Sequence, residues 1–240
     1  MDQHPRATQI LALVAEAEGA AASRKQRASG VLRVTTAAVF GVHLLDRLAI
    51  AYQQRHPEVT VELSVNERVV DIVEEGFDSA IRITREVAPG FVARRLAPCR
   101  VIACASRGYL KRHGVPKTPE DLGRHNCLFY SGSSYRNDWT LRSGNESRTV
   151  RVSGDLRSNT GQVLVTAALE GRGIIFEPAF LVDEALRDGR LVRVLPQWSM
   201  DEFAIFAVYP NRKFLPAKVR TFVDFLVEQL GDVPPWERPH

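Results

Sequence analysis

Nowhere in these 240 residues does an apolar run approach the roughly 20 that a helix needs to cross a bilayer. Nor does the chain open with a basic start, a long apolar middle and a small-residue cleavage site, so the expectation is a soluble, cytoplasmic protein with no membrane partner. Cysteine is scarce. Cys99, Cys104 and Cys127 are an odd number without C-x-x-C spacing, which predicts reduced core residues rather than a disulfide or a metal site. The two closest are expected on one strand, pointing to opposite faces. Charge of one sign is lacking too: 32 basic against 28 acidic residues leave +4, too little to establish nucleic-acid binding without a clustered patch. The compact cluster Arg24, Lys25 and Arg27 reads as the solvated end of a helix, where cations complement the helix dipole.

Catalytic signatures are missing as well. Ser131 is flanked by Phe129 and Ser133 where a nucleophile elbow needs glycines. The six histidines show no H-E-x-x-H spacing, and Gly171-Arg172-Gly173 ends a helix rather than opening one as a phosphate loop would. Glu177 alone is more often a hydrogen-bonding group than a base. No catalytic residue, no cofactor and no metal are therefore expected.

What is present is α/β patterning. With 45% of residues hydrophobic the chain can bury a full core. Residues 30–84 read as strand, helix, strand, helix, strand. Val31 and Val34 lead to Thr35 and Thr36; Leu44, Leu45, Leu48 and Tyr52 share a helix face that stops at Pro57; Val59, Val61, Leu63 and Val65 alternate as a strand. Val69, Val70, Ile72 and Val73 return to helical spacing before Gly76, and residues 77–83 form the next strand. Such units form parallel sheets whose ligands sit at the carboxyl ends of the strands.

Further on, residues 92–105 are extended, residues 107–113 begin helically, and Thr118, Pro119 and Asp121 give a helix-start signal. A hairpin is expected around Ser143, Gly144 and Asn145. Asn159 with Gln162 resembles a capping pair for a helix closed by Gly171, and Pro178 opens another after the strand at Ile174–Phe176. The strand at 203–209 is followed by a helix from Pro216, then a tail, 234–240, expected to be unstructured.

This order predicts an α/β fold of two Rossmann-like subdomains around a cleft. Residues 30–101 and 203–232 form subdomain I, and residues 102–202 subdomain II inserted into it. Residues 1–29 form a helix whose narrow stripe of Ile10, Leu13, Val14 and Ala17 needs one partner, and 233–240 a flexible tail. Two chain crossings would make a hinge that a ligand touching both sides can close.

If strand ends face the cleft, its polar lining is Thr35, Thr36, Asn66 and Thr84 from one lobe. The other lobe offers Ser131, Asn159 with Thr160, and the turn from Phe176 to Pro178. Hydroxyls, amides and helix N-termini at residues 37–41 and 160 suit an anionic small molecule.

At this point the chain resembles a known family. Gly30-Val-Leu-Arg-Val-Thr35, residues 69–83 (VVDIVEEGFDSAIRI), Val92-Ala-Arg-Arg-Leu96, residues 167–175 (AALEGRGII) and Ala207-Val-Tyr-Pro210 together resemble the effector-binding half of LysR-type transcriptional regulators. The likeness runs over about residues 7–230. It implies a fold like periplasmic solute receptors and an effector site at Thr35, Thr36, Asn66, Thr84, Ser131, Phe176 and Pro178. It also implies a linker helix over residues 7–27 that pairs subunits into a homodimer or tetramer. Family members carry a winged helix-turn-helix before that linker, for which residues 1–6 leave no room, so DNA binding is expected only of a longer parent. A transport receptor of the same bilobal design is the alternative, and an enzyme using the cleft a weaker one.

Overall fold

The computed structural model describes residues 27–66, 68, 70–131, 137–200, 203–211 and 215–237; the expected N-terminal helix and its pairing stripe lie outside these residues. β1 (Gly30–Thr36) lies between β2 (Val59–Val65) and β3 (Ser79–Thr84), parallel to both. β4 (Phe91–Cys99) and the late strand β12 (Phe203–Pro210) complete a five-stranded sheet in the order β2-β1-β3-β12-β4, β12 running antiparallel to its neighbours. Leu32, Val34, Ile81, Ile205 and Ala207 share one buried cluster with the helices that cover the sheet.

The first of these helices, α1, is built from Ala38–Phe40, a π-wound turn Gly41–Leu45, and Asp46–Arg55. It starts directly over the ends of β1 and β2. A Cβ at Gly41 would meet the Thr36 and Val65 side chains at 2.9 Å, so only glycine lets the helix sit this close. Tyr52 ties α1 to the last helix: its hydroxyl donates to Lys218 O at 3.0 Å, and its ring meets Phe222 edge-on at 5.0 Å.

Between β2 and β3 the expected helix is absent. Residues 72–76 form one turn and no more: Asp71 caps its start, Oδ1 accepting the backbone N–H groups of Val73 and Glu74 at 2.8 and 3.0 Å, and the Phe77 N–H closes it on Ile72 O at 2.9 Å before a second turn can form. Val69 lies outside the described residues. Three β-branched residues among Val70–Val73 add little helix propensity to extend that turn.

The second sheet is centred on β5 (Val101–Ser106), wholly buried, with β10 (Ile175–Pro178) and β11 (Leu191–Arg193) antiparallel on either side. Around it stand α2 (Arg107–His113), α3 (Gly161–Leu169) and α4 (Ala179–Arg187). The short strands β6 (Phe129–Tyr130) and β9 (Arg157–Ser158) pair in parallel. β7 (Asp138–Ser143) and β8 (Glu146–Arg151) form the hairpin expected at Gly144, whose φ of 55° the turn requires. The start signal at Thr118 holds, with Asp121 Oδ2 accepting the Lys117 and Thr118 N–H groups at 3.0 Å, but the turn it opens, Pro119–Arg124, is 3₁₀ rather than α. α5 (Ala217–Leu230) begins after Pro216 as expected and buries Val219, Phe222, Val223 and Leu226 against the first sheet.

Three further expectations are corrected. Cys99 closes β4 and Cys104 lies in β5, on separate strands rather than one, because the extended run breaks at Arg100. All three thiols are buried and reduced, with Cys99 and Cys127 pushed up to about 12 by that burial. Asn159 is exposed and is not the cap of α3; that position is Thr160, whose N–H is taken by Ser158 Oγ at 3.1 Å. The tail does not hang free: Pro235–Glu237 form a 3₁₀ turn in which Trp236 is 6% exposed. Trp236 packs on Phe180 at 6.0 Å, and the Glu237 carboxylate accepts the Arg100 backbone N–H at 2.9 Å and its guanidinium.

Candidate functional site

Between the two sheets lies a cavity of about 690 Å³, a size suited to a small molecule. Ala37 and Val39 from the start of α1, with Asn66, Arg68 and the segment from Arg82 to Glu86, make one wall. Leu128, Tyr130, Trp139, Gly161, Phe176 and Glu177 make the other. The floor is made where the chain passes between the lobes: Val101 at the head of β5, Pro178 at the end of β10, and Met200 with Phe203 on the return.

Of the residues expected from sequence, Asn66, Thr84, Phe176 and Pro178 line this cavity. The other four do not. Thr35 and Thr36 are wholly buried, 0% exposed, and Thr36 Oγ1 donates to Ala37 O at 3.4 Å. Ser131 is exposed in the turn after β6, with its N–H donated to Ser158 O at 2.8 Å, and Tyr130 stands in the wall instead. Asn159 is exposed outside the cavity. Strand patterning locates a strand's end but not which face its last side chains take, and at the end of β1 both hydroxyls turn inward. Thr84 lines the wall with its hydroxyl engaged, donating to Glu86 O at 2.7 Å.

On the wall of the first lobe two residues carry buried polar atoms that find no partner among the described residues. Asn66, at the end of β2, gives its Nδ2 to Ser64 Oγ at 3.1 Å and its N–H to Thr36 O, but its Oδ1 finds no donor. Arg82, on β3, reaches Ile81 O at 3.4 Å through Nη1, and its Nη2 is buried without a partner among the described residues. Burial lowers the Arg82 pKa from the ordinary guanidinium value. The neighbouring Arg68 differs, since Glu75 holds its guanidinium at 2.8 Å. Native proteins leave few buried polar groups unsatisfied, so two in one cavity wall make this the chemically distinctive part of the lining.

The second lobe offers a different surface. Phe129, Trp139 and Phe176 pack edge to face in series, with ring centres 5.8 and 4.7 Å apart, and Trp139 and Phe176 reach the cavity. At the start of α3, where an anionic ligand was expected, the protein supplies its own carboxylate. Glu177 is 3% exposed, and a Cβ on Gly161 would lie 2.3 Å from its Oε2. Arg82 and Trp139 are thus the residues whose place in the cavity sequence reasoning missed, while Glu177 falls within the expected turn from Phe176 to Pro178. A lone arginine within the otherwise apolar run Ala80–Ile83 was the available signal.

Two α/β lobes, a cavity between them and a floor made by the crossings define a two-lobed ligand-binding domain of the type 2 periplasmic-binding-protein class. The sequence profile described as the LysR substrate binding domain matches residues 25–231, and the chain belongs to the LysR-type transcriptional regulators, of which this is the effector-binding domain. It is 32% identical over 228 residues to the probable HTH-type transcriptional regulator LtrA of Klebsiella pneumoniae, covering 94% of this chain and 74% of that protein. The structure of CrgA, a LysR-type regulator from Neisseria meningitidis, matches with a TM-score of 0.77 at 32% identity, over 95% of this chain and 78% of the other. The regulatory domain of CrgA alone matches with a TM-score of 0.75 at 32% identity, over 85% of this chain and all 100% of that domain.

Proposed function

We propose that the cavity between the lobes is the effector site, and that a small anionic metabolite held there sets the relative angle of the lobes and so controls transcription. The observation that carries this reading is the shared lining: both lobes and both crossings face one space, so a ligand there touches every part that a hinge motion would move. The site residues in this reading are Asn66, Arg82 and Thr84 on subdomain I and Trp139, Phe176 and Pro178 on subdomain II. The lobes divide as residues 30–101 with 203–232 and residues 102–202, and the turn at Pro235–Glu237 docks against the second.

The regulator works as a homo-oligomer in the cytoplasm and reaches DNA through a helix-turn-helix. Val42 and Ile50 on α1 are 64% and 59% exposed, an apolar pair on a helix face that suits pairing with a second copy. Light scattering at micromolar concentration tests the pairing: a dimer is expected, and Ile50→Arg should shift it toward monomer. The site is tested by a thermal-shift screen of metabolite acids, repeated on Ala37→Trp, whose indole would fill the space. Stabilisation that survives in Ala37→Trp would place binding elsewhere.

A further inference from the structure

The chemistry of the two walls narrows the ligand. On one side stand a single donor without a partner, Arg82 Nη2, and a single acceptor without one, Asn66 Oδ1. A guanidinium in that state is matched best by a carboxylate, which returns a charge-assisted bond for the cost of keeping the cation buried. The amide oxygen can only accept, so it calls for a hydroxyl or amine on the same ligand. Three arginines line the described wall; Arg68 is held by Glu75 and Arg85 lies over the Phe203 ring at 6.0 Å, so the unmatched buried donor is that of Arg82, which argues for one anionic group rather than two.

On the opposite side the surface is apolar and aromatic: Leu128, Trp139 and Phe176 from the second lobe, with Met200 and Phe203 in the floor. Trp139, the middle ring of the packed aromatic series, and Phe176, its end, both face the cavity. Such a wall returns most to a flat ring, through burial and edge-to-face contact. A short dicarboxylate would set its second charge against these rings or near the buried Glu177, or would have to draw Arg68 or Arg85 away from the contacts they already make.

We propose that the effector is an aromatic monocarboxylate carrying a hydrogen-bond donor, its carboxylate on Arg82, its hydroxyl or amine on Asn66 and its ring against Trp139 and Phe176. This rests on the interlobe cavity being the effector site. The class includes hydroxylated benzoates, phenylacetates and cinnamates.

The full chain can be titrated calorimetrically with three sets of probes. The first is benzoate, 4-hydroxybenzoate, 4-hydroxyphenylacetate and 4-hydroxycinnamate. The second is their neutral amides, and the third the ringless dicarboxylates succinate and malate. At least one hydroxylated aryl acid is expected to bind tenfold or more tighter than both its amide and either dicarboxylate. Arg82→Gln should remove that tenfold preference for acid over amide, and Asn66→Ala the preference for the hydroxylated acid over its unsubstituted parent. Circular dichroism and melting of each variant report whether it is folded; Arg82→Lys, which keeps charge but not the fork, provides a second readout and should restore binding in part.

If the dicarboxylates bind as well as or better than the aryl acids, and Ala37→Trp abolishes them, the cavity is the effector site and the aromatic assignment is wrong. An unchanged acid preference in a folded Arg82→Gln would also overturn the assignment. Binding of any probe that ignores Ala37→Trp, or no binding by any set, counts against the cavity reading itself and the ligand class with it.

Discussion

Phe40 at the start of α1 and Phe180 in α4 meet edge to face with ring centres 5.8 Å apart, one from each lobe. Beside them His43 Nε2 and Gln162 Oε1 lie 2.8 Å apart, again bridging the lobes. The two lobes therefore share a buried core on this side while they part around the cavity. Truncating Phe40, which is 0% exposed, to alanine is expected to cost about 3–5 kcal/mol in urea unfolding. In a double-mutant cycle with Phe180→Ala the two losses should fall short of additive by about 0.5–1.5 kcal/mol. Strict additivity would show that the rings do not act as a pair.

Glycine at 161 is expected to be irreplaceable for a reason outside backbone freedom. Alanine there would press on Glu177 Oε2 at 2.3 Å and on Leu181 Cδ2 at 2.7 Å, and overpacking of that kind costs about 1–3 kcal/mol. Glu177→Ala in the same chain should recover part of the loss by emptying the nearer contact. A double variant as unstable as the sum of its parts would mean that the carboxylate is not what Gly161 accommodates.

Acid should weaken the protein through His125. Its ring is 8% exposed, and Tyr109 Oη, which accepts the Asn126 N–H at 2.9 Å, lies 3.2 Å from His125 Nδ1, an arrangement suited to the phenol donating to a neutral imidazole. Burial first, and the charge of His113 next, lower the His125 pKa below its unfolded value. The folded state therefore resists a proton that the unfolded chain accepts, so stability is full above the unfolded pKa and falls as pH drops from there through the lowered folded value. Denaturation midpoints compared at about pH 7.5 and about pH 5 should show a smaller acid loss in His125→Gln than in the parent.

The turn after α5 is expected to contribute to stability although it comes so late in the chain. Glu237 has 6% of its side chain exposed and Arg100 has 42%, so the pair is half screened, and Glu237→Ala should cost about 1–3 kcal/mol rather than the full value of a buried pair. Trp236→Ala should cost at least as much by emptying the site against Phe180. Thermal melts of both variants check this, and melts matching the parent would mean that the turn is an ornament of the fold.

Much of the architecture could be read before any coordinates, because Val59, Val61, Leu63 and Val65 alternate as β2 does and Gly144 marks the hairpin it turns. The turn in place of a helix after β2 was hidden, since apolar spacing at Val70 and Val73 fits a helix while the bond from the Phe77 N–H to Ile72 O that ends it after one turn is a property of conformation. The tail was misread for a related reason. Among its prolines a single tryptophan looks like loop, and only the surface of α4 gives it somewhere to go. The cavity was half legible: strand ends point to the right neighbourhood, which recovers Asn66, Thr84, Phe176 and Pro178. Arg82 and Trp139 were not, because they meet across lobes that only the finished chain brings together.

Val101 and Phe203 belong to the cavity floor and also stand where the chain passes from one lobe to the other. Whatever lies against them presses close to the crossings about which the lobes would swing, while the outer faces of the lobes lie farther out. Arc length grows with radius, so a rotation too slight to disturb a single contact at the axis becomes a visible displacement at the rim. In the proposed reading the ligand thus works at the short arm of a lever, and the surfaces another subunit would feel lie at the long arm.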